Sequence, residues 1–137
     1  MANIKPDYAE HIFDRWTSCR RTNDKAYWVQ FIRACAENLV SACVLTDEDQ
    51  PIAWTIGYFE GSAGFGYVDP SYRGHSLGAV ILFSALQQCL HRNMPWHGFV
   101  SASNVAVVNS MQPYFHRLKG SSLFMHHKGT DARISKL

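Results

Sequence analysis

Long apolar runs are the first thing this 137-residue chain lacks. No stretch approaches the roughly 18–20 consecutive apolar residues that cross a bilayer as a helix, so no membrane span is expected. The opening residues, MANIKPDYAEHIFDRW, have no apolar signal core, and their acidic side chains argue against a transit peptide. An intracellular, cytoplasmic location is the default expectation. Charge of one sign is scarce as well: 13 Lys and Arg stand against 11 Asp and Glu, a formal +2. Proteins whose main partner is nucleic acid carry a dense basic face, which this balance does not provide. Weakly basic surface for a phosphorylated small molecule is still compatible with it. Low-complexity segments and long charged tails are missing too, so no part reads as a disordered tail.

Cysteine is present but unpaired in pattern. Cys19, Cys35, Cys43 and Cys89 are widely spread and form no C-x-x-C pair. Metal sites and disulfide frameworks use tighter spacing or an extracellular setting, so buried thiols are the simpler reading. The seven histidines are scattered; His126 and His127 are the one adjacent pair, and neighbours in a strand point to opposite faces. No metal is expected.

What the chain does have is apolar content, 47% of its residues, enough for one domain spanning 1–137 with its own core. Pro6 opens a segment in which Tyr8, Ile12 and Trp16 recur at helical spacing. Asp24 is placed to cap a second helix, striped by Trp28, Phe31, Ile32, Cys35 and Leu39. LVSACVLT, residues 39–46, reads as a strand. In PIAWTIGYF, 51–59, alternation puts Ile52, Trp54, Ile56 and Tyr58 on one face. EGSAG is expected as a turn and FGYVD, 65–69, as a short third strand of an antiparallel meander. A helix from about Leu77 to His91 follows, ended by Asn93-Met94-Pro95. WHGFVSAS, 96–103, then reads as a strand parallel to FGYVD, since a full helix separates the two. A shorter helix begins at Asn104 and must stop or kink at Pro113; SSLFMHH, 121–127, is expected as a last strand. The order is that of an α/β domain on a mixed sheet.

The segment SYRGHSLGA, 71–79, sits where a strand hands over to a helix. The first N–H groups of a helix have no intrahelical acceptor, and the helix dipole adds positive potential there. Gly74 and Gly78 admit close approach to the backbone, and Arg73 supplies a bidentate donor fork. Together they suit a diphosphate. A tight turn followed by a helix cap is the other reading of the same residues. No G-x-x-x-x-G-K-[ST] occurs, and the glycines of GSAGFG, 61–66, precede a strand rather than open a helix, so neither a P-loop nor a dinucleotide fingerprint is present.

VDPSYRGHSLGA resembles the R-x-x-G-x-[GA] signature of the GNAT superfamily of acyl-CoA-dependent N-acyltransferases. Ser76 stands where that pattern has its first glycine, and SASNVA supplies a second family element in Asn104. QPIAWTIGYFEGSAGFGYVDPSYRG and the helical lead-in FDRWTSC…WVQFIRACAENLVSACVL are similar to the glycine N-acyltransferase group, over roughly residues 4–118. The resemblance implies a mostly antiparallel mixed sheet with one splayed parallel pair, and acetyl-CoA or another acyl-CoA as co-substrate without a metal. It implies that backbone N–H groups from Arg73 through Gly74, His75, Ser76, Leu77 and Gly78 to Ala79 hold the coenzyme pyrophosphate. Residues 66–68, Tyr67 among them, would pair with pantetheine, and the Val68 N–H would polarise the thioester carbonyl. Asn104 would bond the pantetheine arm or orient the next loop; a plain helix N-cap is its other reading.

Acyl transfer to an amine needs that amine neutral, hence a base. Relatives in the group place a glutamate just after the turn into this strand, where an ungapped alignment has Ser62. Glu60 would face the same side if the strand reached it, and could serve directly or through water. An exposed turn residue is its other reading, and Ser62 cannot be a base near neutral pH without a partner. Where the family has an acidic tyrosine on the following helix, this chain has Met111, with Tyr114 and His116 nearby. The resemblance covers only the C-terminal catalytic domain of the group, with the first strand reduced to MANIK, and it allows a mitochondrial location. The expected acceptor is a small amine such as glycine or another amino acid, with no nucleic-acid or membrane partner. An acyl-CoA-binding regulatory domain and a protein-directed N-acetyltransferase stand as alternatives.

Overall fold

The computed structural model describes residues 2–16 and 24–118. Cys19, His126, His127 and the strand expected over 121–127 lie outside the described residues. A 3-10 turn at Pro6–Tyr8 leads into α1, Ala9–Arg15, and α2 runs Lys25–Asn38. Asp24 caps α2 as expected, its Oδ1 accepting the Tyr27 N–H at 3.0 Å. The strands are β1 Ser41–Leu45, β2 Pro51–Gly57, β3 Ser62–Val68 and β4 His97–Gly98; α3, Leu77–His91, and α4, Val105–Met111, complete the elements.

The sheet order is β1-β2-β3-β4, with the first two pairings antiparallel and β3–β4 parallel. Helices cover it on both sides. On one face Ile12 of α1 and Ile32, Cys35 and Ala36 of α2 pack against Cys43, Trp54, Ile56 and Phe65. On the other, Ile81, Ala85 and Cys89 of α3 meet Val40, Ala42 and Ala53. This explains why β2 is buried along most of its length, with Ala53 and Trp54 facing opposite ways. Of the MANIK segment, the described residues 2–5 contribute one bridge, Ala2 to Cys43, on the outer edge of β1.

Two expectations are corrected. β3 starts at Ser62, not Phe65, because the hairpin closes earlier: Tyr58 N–H donates to Ser62 C=O at 2.8 Å and Gly61, at φ +89°, donates to Tyr58 C=O at 2.9 Å. The strand expected over 96–103 pairs only at His97 and Gly98, opposite Ser62 and Ala63. Beyond them the chain leaves the sheet, and 99–104 are exposed, with Asn104 leading into α4.

Candidate functional site

The site is built by three features of β3. The first is a bulge. Trp54 pairs with Tyr67 and Ile56 with Gly64, so Phe65 and Gly66 together oppose the single residue Thr55. Phe65 takes φ +50° yet is buried, its ring 4.4 Å from Trp16 and 4.7 Å from Tyr58. A non-glycine residue at positive φ is strained, and aromatic packing on both sides holds it. At Gly66 the space where a side chain would start is open.

The second feature is the parting of β3 from β4. Asp69 N–H donates to Ile52 C=O on the β2 side at 2.8 Å. Successive N–H groups of an extended chain point to opposite edges, so the Val68 N–H points away from β2, towards the gap beyond β4. The Val68 carbonyl accepts from Arg73 Nε at 3.2 Å.

The third is the handover to α3. Asp69 starts a 3-10 turn at Pro70–Tyr72, Gly74 has φ +81° with open space around it, and Ser76, the residue before α3, has φ +59°. Ser76 thus occupies a left-handed position that glycine adopts without strain, which accounts for the glycine of the related pattern. The first helical bond is Val80 N–H to Ser76 C=O at 3.1 Å, so the N–H groups of Leu77, Gly78 and Ala79 have no acceptor within the helix. His75 Nδ1 lies 3.0 Å from the Arg73 carbonyl and 3.2 Å from that of Tyr72, so it carries the proton and fixes the ring on the loop. Among the described residues no carboxylate pairs with Arg73. The loop is exposed.

Asp69 also binds α1. Its Oδ1 accepts the Ser71 N–H at 3.0 Å and its Oδ2 accepts from Arg15 Nη1 at 2.6 Å. The Ser71 N–H first, and Arg15 after it, hold the Asp69 carboxyl below the usual carboxylate range. The Arg15 guanidinium also meets the Tyr67 hydroxyl, and Tyr67 stacks on Trp54 at 4.5 Å. Sequence reasoning missed Arg15 and Asp69; no spacing rule links residues 54 positions apart.

At the closed end of the gap, Glu60 lies in the hairpin turn rather than on an extended β3, and it is exposed. Ser62 is buried, and its Oγ donates to Glu60 Oε1 at 2.5 Å. The two candidates are therefore joined by a hydrogen bond across the turn. Asn104 caps α4, its Oδ1 accepting the Val107 N–H at 3.4 Å, which leaves its amide donors facing no described partner. Met111 ends α4, and Tyr114 packs edge-on to Phe83 of α3 at 4.9 Å, beside the outer side of that helix. His116 is exposed. Among the described residues no group of His, Cys, Asp and Glu could hold a metal ion, and no helix is long and apolar enough to cross a membrane.

No protein-family profile matches the chain. In sequence it is 31% identical over 78 residues to glycine N-acyltransferase of Rattus norvegicus, a match covering 57% of this chain and 26% of the rat protein. The Mus musculus protein of that name matches at 32% over 78 residues. The chain spans about a quarter of the length of these curated relatives. In structure it superposes with a TM-score of 0.69 on AAC(6')-Iy in complex with the bisubstrate analog CoA-S-monomethyl-acetylneamine, at 11% identity over 93% of this chain and 96% of that one. A GCN5-related N-acetyltransferase from Ralstonia eutropha gives a TM-score of 0.62 at 12% identity, over 89% and 95% of the two chains. The fold is that of the GCN5-related N-acetyltransferases, and the sequence resembles glycine N-acyltransferase.

Proposed function

We propose, taking that fold as the premise, that the chain binds an acyl-CoA and transfers its acyl group to an amine. The observation that carries the reading is the parting of β3 from β4 after two residue pairs, with the unsatisfied start of α3 directly beyond the open end. The N–H groups of Leu77, Gly78 and Ala79 and the Arg73 guanidinium would hold the diphosphate. The pantetheine arm would run down the free edge of β3 past Val68 and Gly66, where open space lies in front of the backbone. The amide donors of Asn104 would reach it from the other wall.

In the reaction the amine nitrogen attacks the thioester carbon, and the C–S bond breaks after a tetrahedral intermediate forms. The Val68 N–H would stabilise the oxyanion. The proton would leave the amine to the exposed Glu60 carboxylate, which the buried Ser62 hydroxyl holds by its hydrogen bond, and the coenzyme would depart as thiolate. Ser62 alone is too weak a base; its 2.5 Å bond to Glu60 instead fixes the carboxylate that accepts the proton. Holding both substrates in the gap supplies much of the rate by orientation. The sequence resemblance favours a small amine acceptor such as glycine or another amino acid.

Calorimetric titration with CoA and acetyl-CoA, followed by a thiol-release assay with single amino acids and simple amines, tests this. Binding with amine-dependent release is the expected result. In Arg73→Glu a carboxylate faces the diphosphate, and CoA binding should fall below detection while the protein stays folded, since Arg73 is exposed. Undiminished CoA binding by that variant overturns the assignment of the loop. Binding without release would favour the acyl-CoA-binding regulatory reading, for which Met111 at the acid position is the one specific observation.

A further inference from the structure

Asp69 has every polar group engaged, two of them with the turn that follows it and one each with β2 and α1. Its N–H donates to Ile52 of β2 at 2.8 Å, and its carbonyl accepts the Tyr72 N–H at 2.9 Å. One carboxylate oxygen orders the turn by accepting from Ser71 at 3.0 Å, and the other holds Arg15 at 2.6 Å. Arg15 is the last residue of α1, and Trp16, next in the chain, packs against the bulge residue Phe65. Arg73 Nε reaches back to the residue before Asp69, Val68. One carboxylate therefore ties the C-terminal end of α1 and the bulged centre of β3 to the loop that leads into α3.

We infer that Arg15 and Asp69 are positioning residues, a strap by which α1 sets the conformation of the Arg73–Ala79 loop and hence its affinity for the diphosphate. This rests on the acyl-CoA reading of the loop. Gly74 and Ser76 both sit at positive φ, and the loop's side chains are exposed, so buried contacts do little to fix its shape. Its anchorage is the turn at Pro70–Tyr72, and that turn is fixed by Asp69. Asp69 has 19% of its side chain exposed and Arg15 45%, so the pair is shielded on the carboxylate side yet open enough for Arg15 to be replaced without disrupting the core. Freeing Arg15 leaves the Ser71 bond but lets the carboxylate rotate, and the loop then samples shapes that do not converge on a diphosphate. The effect falls on ground-state binding of the coenzyme and leaves the chemical step alone. Movement of α1 on the sheet would reach the coenzyme loop by the same route.

The test compares the unsubstituted protein with Arg15→Ala, Arg15→Lys and Asp69→Asn. Calorimetry with CoA and with ADP as a diphosphate probe reads the loop, and steady-state rates separate KM for acetyl-CoA from kcat. Arg15→Ala should weaken CoA about three- to fivefold, the size one partly exposed ion pair transmits. KM should rise to match, with kcat within about twofold. Arg15→Lys should recover most of the affinity, and Asp69→Asn, which keeps the shape and the Arg15–Tyr67 contact but loses the charge, should behave like Arg15→Ala; a loss confined to Arg15→Ala would overturn the strap by placing the effect on Tyr67. If the unsubstituted protein binds CoA and folded Arg15→Ala binds it equally well, the strap is wrong and the coenzyme reading stands. If kcat falls while CoA affinity holds, the strap is also wrong. Failure of the unsubstituted protein to bind CoA overturns both.

Discussion

At the scale of single residues, the proposed transfer turns on the pair Glu60 and Ser62. Neither has what a base needs by itself: the serine lacks basicity, and the glutamate stands exposed in a turn. Their hydrogen bond makes one unit, with the buried hydroxyl holding the exposed carboxylate in place. Groups that act as a unit lose function together, so single and double substitutions should be far from additive. Glu60→Gln is expected to lower kcat by about a hundredfold or more, Ser62→Ala by a similar factor, and the double variant by little beyond either. CoA affinity should be unchanged in all three, since neither residue lies at the Arg73–Ala79 loop proposed to hold the diphosphate. Stopped-flow thiol release read beside calorimetry checks both halves. An Glu60→Gln variant with full turnover would move the base elsewhere, with His116 the next candidate.

At the scale of elements, the hairpin between β2 and β3 and the bulge after it aim that pair. Gly64 is required by its neighbour rather than by its dihedrals. A side chain there would begin 1.8 Å from Cε2 of Tyr58, whose ring lies across it and packs on Phe65. Gly64→Ala must displace that ring and should cost about 1–3 kcal/mol in denaturant unfolding. Tyr58→Ala made on top of it should cost less than the two single changes added together, because the clash is gone. This region also marks the limit of what the sequence makes legible. Long-period signals were readable: the Asp24 cap and the whole of α3 from Leu77 to His91 stand where spacing put them. The start of β3 was not, because Ser62, Ala63 and Gly64 look like turn residues while cross-strand bonds to β2 hold them extended. Nor was the end of the parallel pairing at Gly98. Apolar alternation in WHGFVSAS is what a paired strand would show, and nothing local tells a chain to leave the sheet. The turn into α3 was legible because a strand-to-helix handover with Gly74 and Ser76 at positive φ needs particular residues at fixed spacing; its proposed hold on a diphosphate is what the CoA titration tests. Arg15 was not, because its role comes from a contact made only by folding.

At the scale of the whole molecule, two apolar layers on one thin sheet leave ionisable groups inside that must stay neutral. Cys35 lies in the layer under α1 and α2, on α2 itself, and Cys43 lies in the same layer on β1. Burial, the largest cause, pushes each thiol up to about 11, and for Cys35 the Glu60 carboxylate adds to it. A free thiol in the unfolded chain ionises near about 8.5. The native state therefore binds the proton more tightly than the unfolded state, and the stability this gives is complete below about pH 8.5 and is lost as pH rises towards 11. Cys89 and Tyr8 are also raised, chiefly by burial, and Lys5 and Lys25 chiefly by their bonds to Asp49 and Asp14, so their contributions fade in the same direction. The melting temperature should hold level from pH 7 to 8.5 and fall steadily up to pH 10.5. The share of these two thiols is read from a Cys35→Ala, Cys43→Ala variant, less stable at neutral pH because two side chains leave the core, but with a shallower alkaline fall. Native Cys35 and Cys43 should resist a thiol reagent at pH 7.5 until denaturant is added. A variant whose melting curve fell as steeply with pH as that of the parent would assign the alkaline loss to the other raised groups, Cys89, Tyr8, Lys5 and Lys25, and Cys35 and Cys43 would then be packing groups alone.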